Sequence, residues 1–307
     1  MLAAACPRTI GPVRTIRAHA KLNLALAVAP PEPSDADRPG WHRIASWFHS
    51  VELHDTVRIK SGAGGFSVAW IDDDEGLRPV EWTLEQDLAY RAKAAFEAQI
   101  GEPIGVKIDI TKRIPAGAGL GGGSSDAAAV LLGLNTMVSR PVADDDLAKI
   151  AAPIGSDLAF FLDTPPPRPA LIRGFGDRID RRDRLDLGVV LIIPPFGCST
   201  PDVYAAYDDH PRDTASFDRA SLQIEAMCRA GKPDGLFNDL EPAGCAVEPR
   251  LGGLLDSLRS AIDRPVHMTG SGSALFVLSD RSVCGSVADR ARETVGNECR
   301  VVETFLI

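Results

Sequence analysis

The residues with the most chemical potential form one run: Pro115, Ala116, Gly117, Ala118, Gly119, Leu120, Gly121, Gly122, Gly123, Ser124 and Ser125, followed directly by Asp126-Ala-Ala-Ala-Val-Leu-Leu132. Glycine admits positive φ and lets a backbone approach a ligand closely, while the unpaired N–H groups at a helix start attract negative charge. A loop of this composition before an Ala- and Leu-rich helix is therefore an anion cradle, or else a plain tight connection. Ser124 and Ser125 fall at the helix start, where a hydroxyl caps the helix or faces a bound metal. No Gly-Lys-Ser/Thr follows, so this is not a Walker loop. A dinucleotide fingerprint normally opens its fold, whereas this run begins only at residue 115.

Three smaller groups stand out. Lys21 lies in Ala20-Lys-Leu-Asn-Leu24; a lysine among apolar strand residues either faces solvent, which periodicity favours, or is a cation placed in a pocket. Gly155-Ser-Asp157 precedes Leu158 to Leu162 and reads as a helix start with Asp157 as N-cap. Thr269 to Ser273 separates two apolar runs and is either a hairpin turn or a backbone that approaches a ligand. Trp41-His42 reads as a packed surface pair, and the acids at 72–75 read as a solvated loop.

The elements that must position these groups follow from periodicity. Val106 to Thr111 is apolar at alternate positions, as expected of the strand feeding the loop. Upstream, Val13 to Val28 predicts one or two strands, residues 30–40 a proline-rich loop, and Ile44 to Leu53 and Thr56 to Lys60 two more strands. Residues 61–82 hold a Gly cluster and the acidic run, and no strand or helix is assigned to them. Thr83-x-x-Gln86 is a capping box expected to open a helix with Leu84, Leu88, Ala92, Ala95 and Phe96 on one face. Beyond the loop helix, Ala143 to Ala152 predicts a helix and Pro165 to Pro169 a linker. Strands are expected at 170–174 and 187–193, helices at 201–207, 217–229 and 250–261, and a polar turn at Asn238 to Pro242. Val266 to Leu278 reads as strand, turn and strand, Val283 to Val295 as a helix, and Cys299 to Phe305 as a closing strand.

Composition bounds the function. The 307 residues, 45% hydrophobic and 24% charged, suffice for a large globular core and suggest two domains. A formal charge of −9 argues against a nucleic-acid or anionic-membrane surface. The six cysteines form no C-x-x-C pair, which points to idle thiols in a reducing compartment and away from a disulfide framework or zinc site. Leu187 to Ile193, the longest apolar run, is too short to cross a bilayer, and Met1 to Pro7 lacks a basic leader. A cytoplasmic protein with a frayed N-terminal extension, residues 1–15, is expected.

Ala20-Lys-Leu-Asn-Leu24, the 115–125 run, Gly155-Ser-Asp157 and Met268-Thr-Gly-Ser-Gly272 occur in an order that resembles the motifs of the GHMP small-molecule kinases, from about Ile16 onward. The triple glycine, Trp41-His42 after Gly40, and Asn238 to Pro242 narrow the resemblance to members that act on a cytidine diphosphate sugar alcohol. It implies an α+β, two-domain GHMP kinase fold. A ribosomal protein S5 domain 2-like domain would occupy residues 1–167, with ATP, and an α/β-plait substrate domain residues 168–307. ATP and Mg²⁺ would be the cofactors, with the 115–125 loop around the phosphates and Ser125, with Ser124, beside the metal. Asp157 would be the general base and Lys21 its cationic partner. Asn23 and His42 would read the cytosine edge. Trp41, where the family usually has Tyr, would stack on the base; Thr200, Tyr204, Gly270 and Gly272 would complete the acceptor side. Ala159 stands where proline is common. The resemblance implies a monomer or homodimer with no nucleic-acid or membrane partner. Another acceptor (mevalonate, homoserine or a sugar) is the alternative. An inactive interaction protein on the same fold is a further one, against which the presence of both Lys21 and Asp157 speaks.

Overall fold

The computed structural model describes residues 13–62, 64–72 and 76–307, so the 1–12 part of the expected extension and the acids at 73–75 lie outside the described residues. The chain forms two compact units, and neither is continuous in sequence. Among the described residues the first takes those within 13–18, 54–113 and 123–165, the second 19–53, 114–122 and 166–307. One of the crossings falls at 165–166, at the start of the proline-rich stretch.

Two long strands, β1 (Arg14–Pro31) and β2 (His42–Ser61), contribute to both units. In the first unit the end of β2 pairs antiparallel with β5 (Val106–Lys112), with Val57 opposite Ile110. Next come β3 (Gly65–Asp72), parallel to β5, and β4 (Gly76–Pro79), antiparallel to β3. Four helices complete the unit: α1 (Leu88–Ile100), α2 (Gly122–Asn135), α3 (Asp144–Ala151) and α4 (Leu158–Phe161). α1 buries Ala89, Ala92 and Phe96, the spacing of one helical face. A Cβ on Gly133 of α2 would meet Ile16 at 3.0 Å, so only glycine lets this helix sit so close to β1.

The second unit carries β6 (Ala170–Gly174) antiparallel to the start of β2, and β7 (Arg178–Arg181) beyond it. A separate antiparallel sheet has the order β11-β8-β10-β9, from β8 (Gly188–Ile193), β9 (His267–Met268), β10 (Leu275–Ser279) and β11 (Arg300–Phe305). α5 (Thr200–Asp208), α6 (Thr214–Ala230), α7 (Glu241–Val247), α8 (Pro249–Ala261) and α9 (Cys284–Val295) complete it. Alternate residues of β8 serve two cores. Val189, Leu191 and Ile193 pack with β1, Phe217 and Phe276, whereas Val190 and Ile192 pack with Val203, Leu255 and Ala288.

Several expectations are corrected. The stretch 61–82, without a predicted element, holds β3 and β4; Phe66, Val68 and Trp70 alternate along β3, and Asp72, expected in a loop, is its last residue. The two strands expected between 44 and 60 are one strand, β2. The Thr83 and Gln86 capping box is present, yet it closes only a 3₁₀ turn at Leu84–Gln86. α1 starts afresh at Leu88, because the Asp87 carboxylate accepts from the Ala89 and Tyr90 N–H groups and is the better N-cap. Among the described residues no helix is long and apolar enough to cross a membrane.

Two histidines, His49 buried and His267 half-buried, set an acid limit. His49 is fully buried; its Nδ1–H donates to Ser50 O at 3.0 Å and its Nε2 accepts the Leu185 N–H at 3.0 Å, an arrangement only the neutral ring allows. Burial lowers its pKa to about 4, and burial with Arg259 nearby does the same to His267. Below about pH 6.5 the unfolded chain takes up protons that the folded chain refuses. Stability is therefore full above that pH and falls as pH drops toward 4, by about 3 kcal/mol from His49 alone. The urea midpoint should decline steeply between pH 6.5 and 4.5; a flat profile there would contradict these assignments.

Candidate active site

The glycine loop is an ordered turn, not a slack connection. Gly117, Gly119 and Gly121 have φ of +68°, +75° and +70°, in the left-handed region that side-chain-bearing residues rarely adopt. Backbone bonds in the second unit fasten it on three sides. Lys21 N donates to Leu120 O at 3.0 Å, Ala274 N to Ala118 O at 3.2 Å, and Cys198 N to Gly117 O at 3.3 Å. A Cβ on Gly119 would overlap the Thr269 carbonyl oxygen, and one on Gly270 would lie 3.2 Å from Gly119 O. The Thr269 to Ser273 turn joins the antiparallel pair β9 and β10 as a hairpin, and the glycine loop is in backbone-to-backbone contact with it.

Around that junction the second unit gathers Lys21, Asn23, Thr200, Gly270 and Gly272. Lys21 is buried, contrary to the solvent-facing reading. Its Nζ donates to Asn23 Oδ1 at 2.5 Å and lies 4.8 Å from the Phe48 ring centre. β1 is covered on both faces from Ala18 to Ala29, so a lysine within it has no route to water. The Asn23 amide is also committed at its other end, donating from Nδ2 to Ser46 Oγ at 3.0 Å, while its backbone N–H reaches Thr269 Oγ1 at 2.9 Å. Asn238 holds the turn from behind, donating to Met268 O and Gly270 O at 2.9 and 2.8 Å. The Thr200 and Ser271 hydroxyls are 2.8 Å apart.

A second group in the same unit centres on His42. Its Nδ1 lies 2.9 Å from Ala29 O, so this nitrogen carries a hydrogen, and Nε2 faces Asp208 Oδ1 at 3.3 Å. The Tyr204 ring packs against it with centroids 5.0 Å apart. Trp41 is 53% exposed and meets Phe175 edge-on at 6.2 Å, with the Arg38 guanidinium 5.4 Å from its ring. The indole is therefore a surface group rather than core.

The first unit carries the remaining residues. Asp157 occupies the N-cap position of α4, yet its side chain makes no capping hydrogen bond, so helix capping does not account for the acid there. The turn before it adjoins the start of α2: a Cβ on Gly155 would lie 3.7 Å from Ser124 Oγ. Ser125 is buried beside it. Sequence reading missed a cluster in this unit. Lys112 Nζ donates to Asp126 Oδ2 at 2.5 Å and to Asp55, and the Arg113 N–H donates to the other Asp55 oxygen.

These residues suit a polyanion. A loop with three left-handed glycines, one of them (Gly119) without room for a Cβ, followed by a helix start with two hydroxyls, matches phosphate chemistry. Among the described residues no three His, Cys, Asp or Glu side chains form a group able to hold a metal. The donor set fits a divalent ion that arrives with phosphates and keeps most of its ligands from them and from water.

The profile described as GHMP kinases N terminal domain matches residues 87–163, which covers the helix α1, the loop, Asp157 and α4. Fold and loop thus define the class: a small-molecule kinase of the GHMP type. A 4-diphosphocytidyl-2-C-methyl-D-erythritol kinase from Pelotomaculum thermopropionicum is 35% identical over 303 residues, 95% of this chain and 98% of the relative. One from Moorella thermoacetica is 36% identical over 289 residues, covering 92% and 96%. A solved 4-(cytidine 5'-diphospho)-2C-methyl-D-erythritol kinase superposes with TM-score 0.73 at 29% identity, over 96% of this chain and 100% of that one. The chain belongs to the 4-diphosphocytidyl-2-C-methyl-D-erythritol kinase family.

Proposed function

We propose that the protein transfers the γ-phosphoryl group of ATP to the 2-hydroxyl of 4-diphosphocytidyl-2-C-methyl-D-erythritol, a cytoplasmic step of non-mevalonate isoprenoid precursor synthesis. The observation that carries this reading is the glycine loop bonded at Leu120 to the strand that bears Lys21. Phosphoryl transfer asks the protein mainly for positioning and for neutralisation of charge. Loop N–H groups from Ala116 to Ser125 bind the phosphates, with Pro115, which has no N–H, opening the loop. The acceptor oxygen attacks the γ-phosphorus as the bond to the departing ADP oxygen breaks, and Asp157 takes the hydroxyl proton. Lys21, held by Asn23, offsets charge on the attacking oxygen. Mg²⁺, when bound, would neutralise phosphate charge, with Ser125 and Ser124 as the side chains that hold it.

On the acceptor side, Trp41 stacks on the cytosine, with His42 and Tyr204 forming the pocket wall and Thr200, Gly270 and Gly272 flanking the diphosphate and polyol. The His42 ring and the Asp208 carboxylate beside it give this wall polar groups that a mevalonate or homoserine acceptor does not need. Purified protein given ATP with each of the three acceptors should release ADP only with the cytidyl diphosphate. Turnover of mevalonate or homoserine instead would redirect the reading, and no ADP with any would reduce the chain to an inactive relative.

A further inference from the structure

The chain positions carrying the buried Lys112 cluster are informative. Lys112 is the last residue of β5, the strand that feeds the glycine loop, and Asp126 lies near the start of α2, the helix that leaves it. Their side chains, 4% and 5% exposed, meet at 2.5 Å and so join the two ends of the loop across 14 residues. Asp55, from β2, is fully buried and binds both Lys112 and the N–H of Arg113, the residue that follows β5 on the way into the loop. We infer that Lys112, Asp126 and Asp55 are positioning residues for the phosphate loop, a clamp that closes its base and holds it ready for ATP.

The energetics favour a positioning role over a purely stabilising one. Burying three charged groups carries a large desolvation cost, and well-packed apolar replacements of such clusters are often neutral or stabilising. What apolar side chains cannot supply is direction. The Lys112 ammonium fixes Asp126 and Asp55 at set angles, and Asp55 in turn fixes the Arg113 peptide. A loop held in its binding shape loses less entropy on binding, and a fall in the fraction of competent loop weakens apparent affinity in proportion. Burial acts to lower the Lys112 pKa, but the two carboxylates outweigh it and hold the ammonium well above the lysine range. The Asp126 Oδ2 accepts from Lys112 while its Oδ1 has no hydrogen-bond partner. An amide at 126 can therefore keep the Lys112 contact through its oxygen.

The inference rests on the reading of this loop as the ATP site, and the test separates the two. ATP affinity is measured by calorimetry for the parent protein and for Lys112→Met, Asp126→Asn, and the apolar triple Lys112→Met/Asp55→Leu/Asp126→Leu. Circular-dichroism melts and the KM for the acceptor are recorded alongside. The triple variant should keep its melting transition and its acceptor KM while binding ATP at least about 10-fold more weakly. Asp126→Asn should stay within about 3-fold of the parent, because Lys112 keeps its acceptor. If Lys112→Met fails to fold, the triple and the amide variant still decide. Parent-like ATP affinity in a folded triple variant would overturn the clamp. Absence of ATP binding by the parent protein would overturn the nucleotide reading and the clamp with it.

Discussion

Asp157→Asn should lower kcat by about 10²–10⁴-fold while both KM values and the melting temperature stay close to those of the parent protein. The amide is nearly isosteric with the carboxylate and cannot accept the hydroxyl proton. Because the Asp157 side chain makes no capping hydrogen bond to α4, removing its charge sacrifices no cap, the usual cost at such a position. The same reasoning predicts a comparable fall in kcat for Lys21→Ala, with one difference. Lys21 is buried and supplies the hydrogen bond to Asn23 Oδ1, so its removal leaves a buried acceptor unmet and costs about 1–3 kcal/mol of stability as well. Steady-state kinetics and thermal melts on the two variants separate chemistry from folding. Parent-like turnover by folded Asp157→Asn would remove the base from the mechanism.

Gly119→Ala should abolish measurable ATP binding and destabilise the protein by a few kcal/mol, about 1–2 from the left-handed φ and about 1–3 from overpacking. The added methyl overlaps the Thr269 carbonyl and sits 3.2 and 3.3 Å from Gly272 O and N, all of them backbone atoms with no rotamer to yield. Relief requires the loop to move off the 269–272 turn, which breaks the Ala118 to Ala274 bond and strains the Lys21 to Leu120 bond. Gly253→Ala is the matched control. Gly253 lies in α8 with nothing within 4 Å of its built Cβ, so alanine there should be neutral or stabilising by up to about 1 kcal/mol. If Gly119→Ala binds ATP as the parent does, the close approach is not part of the phosphate site.

How much of this was legible in the chain depends on whether the signal is local. The loop was, because a left-handed backbone at 117, 119 and 121 demands glycine and nothing nearby competes with that demand. β8 and the later helices were legible for the same reason, through apolar period. Lys21 was misjudged because β1 has no polar face: Ala20, Leu22 and Leu24 on one parity and Ala25, Ala27 and Ala29 on the other are all buried, so alternation carries no information there. β3 was hidden by glycines at 62, 64 and 65, although Phe66, Val68 and Trp70 keep strand period. The Lys112 cluster had no local signature, since Asp55 lies 57 residues from its lysine and meets it only through the pairing of β2 with β5. His42 next to Trp41 suggested surface packing, whereas the ring is held by Ala29, Asp208 and Tyr204 from distant segments.

The way the two units share the chain has a consequence for how such enzymes exchange parts. Because the crossings fall at 18–19, 53–54, 113–114, 122–123 and 165–166, no single genetic crossover can transplant one unit whole. Moving the acceptor preference of a homologue into this scaffold requires three inherited blocks, 19–53, 114–122 and 166–307, and the shortest of them carries most of the phosphate loop. A hybrid built by swapping only the C-terminal half would join a foreign acceptor wall to a native cradle, and should fold poorly wherever Thr269 and Gly119 no longer match.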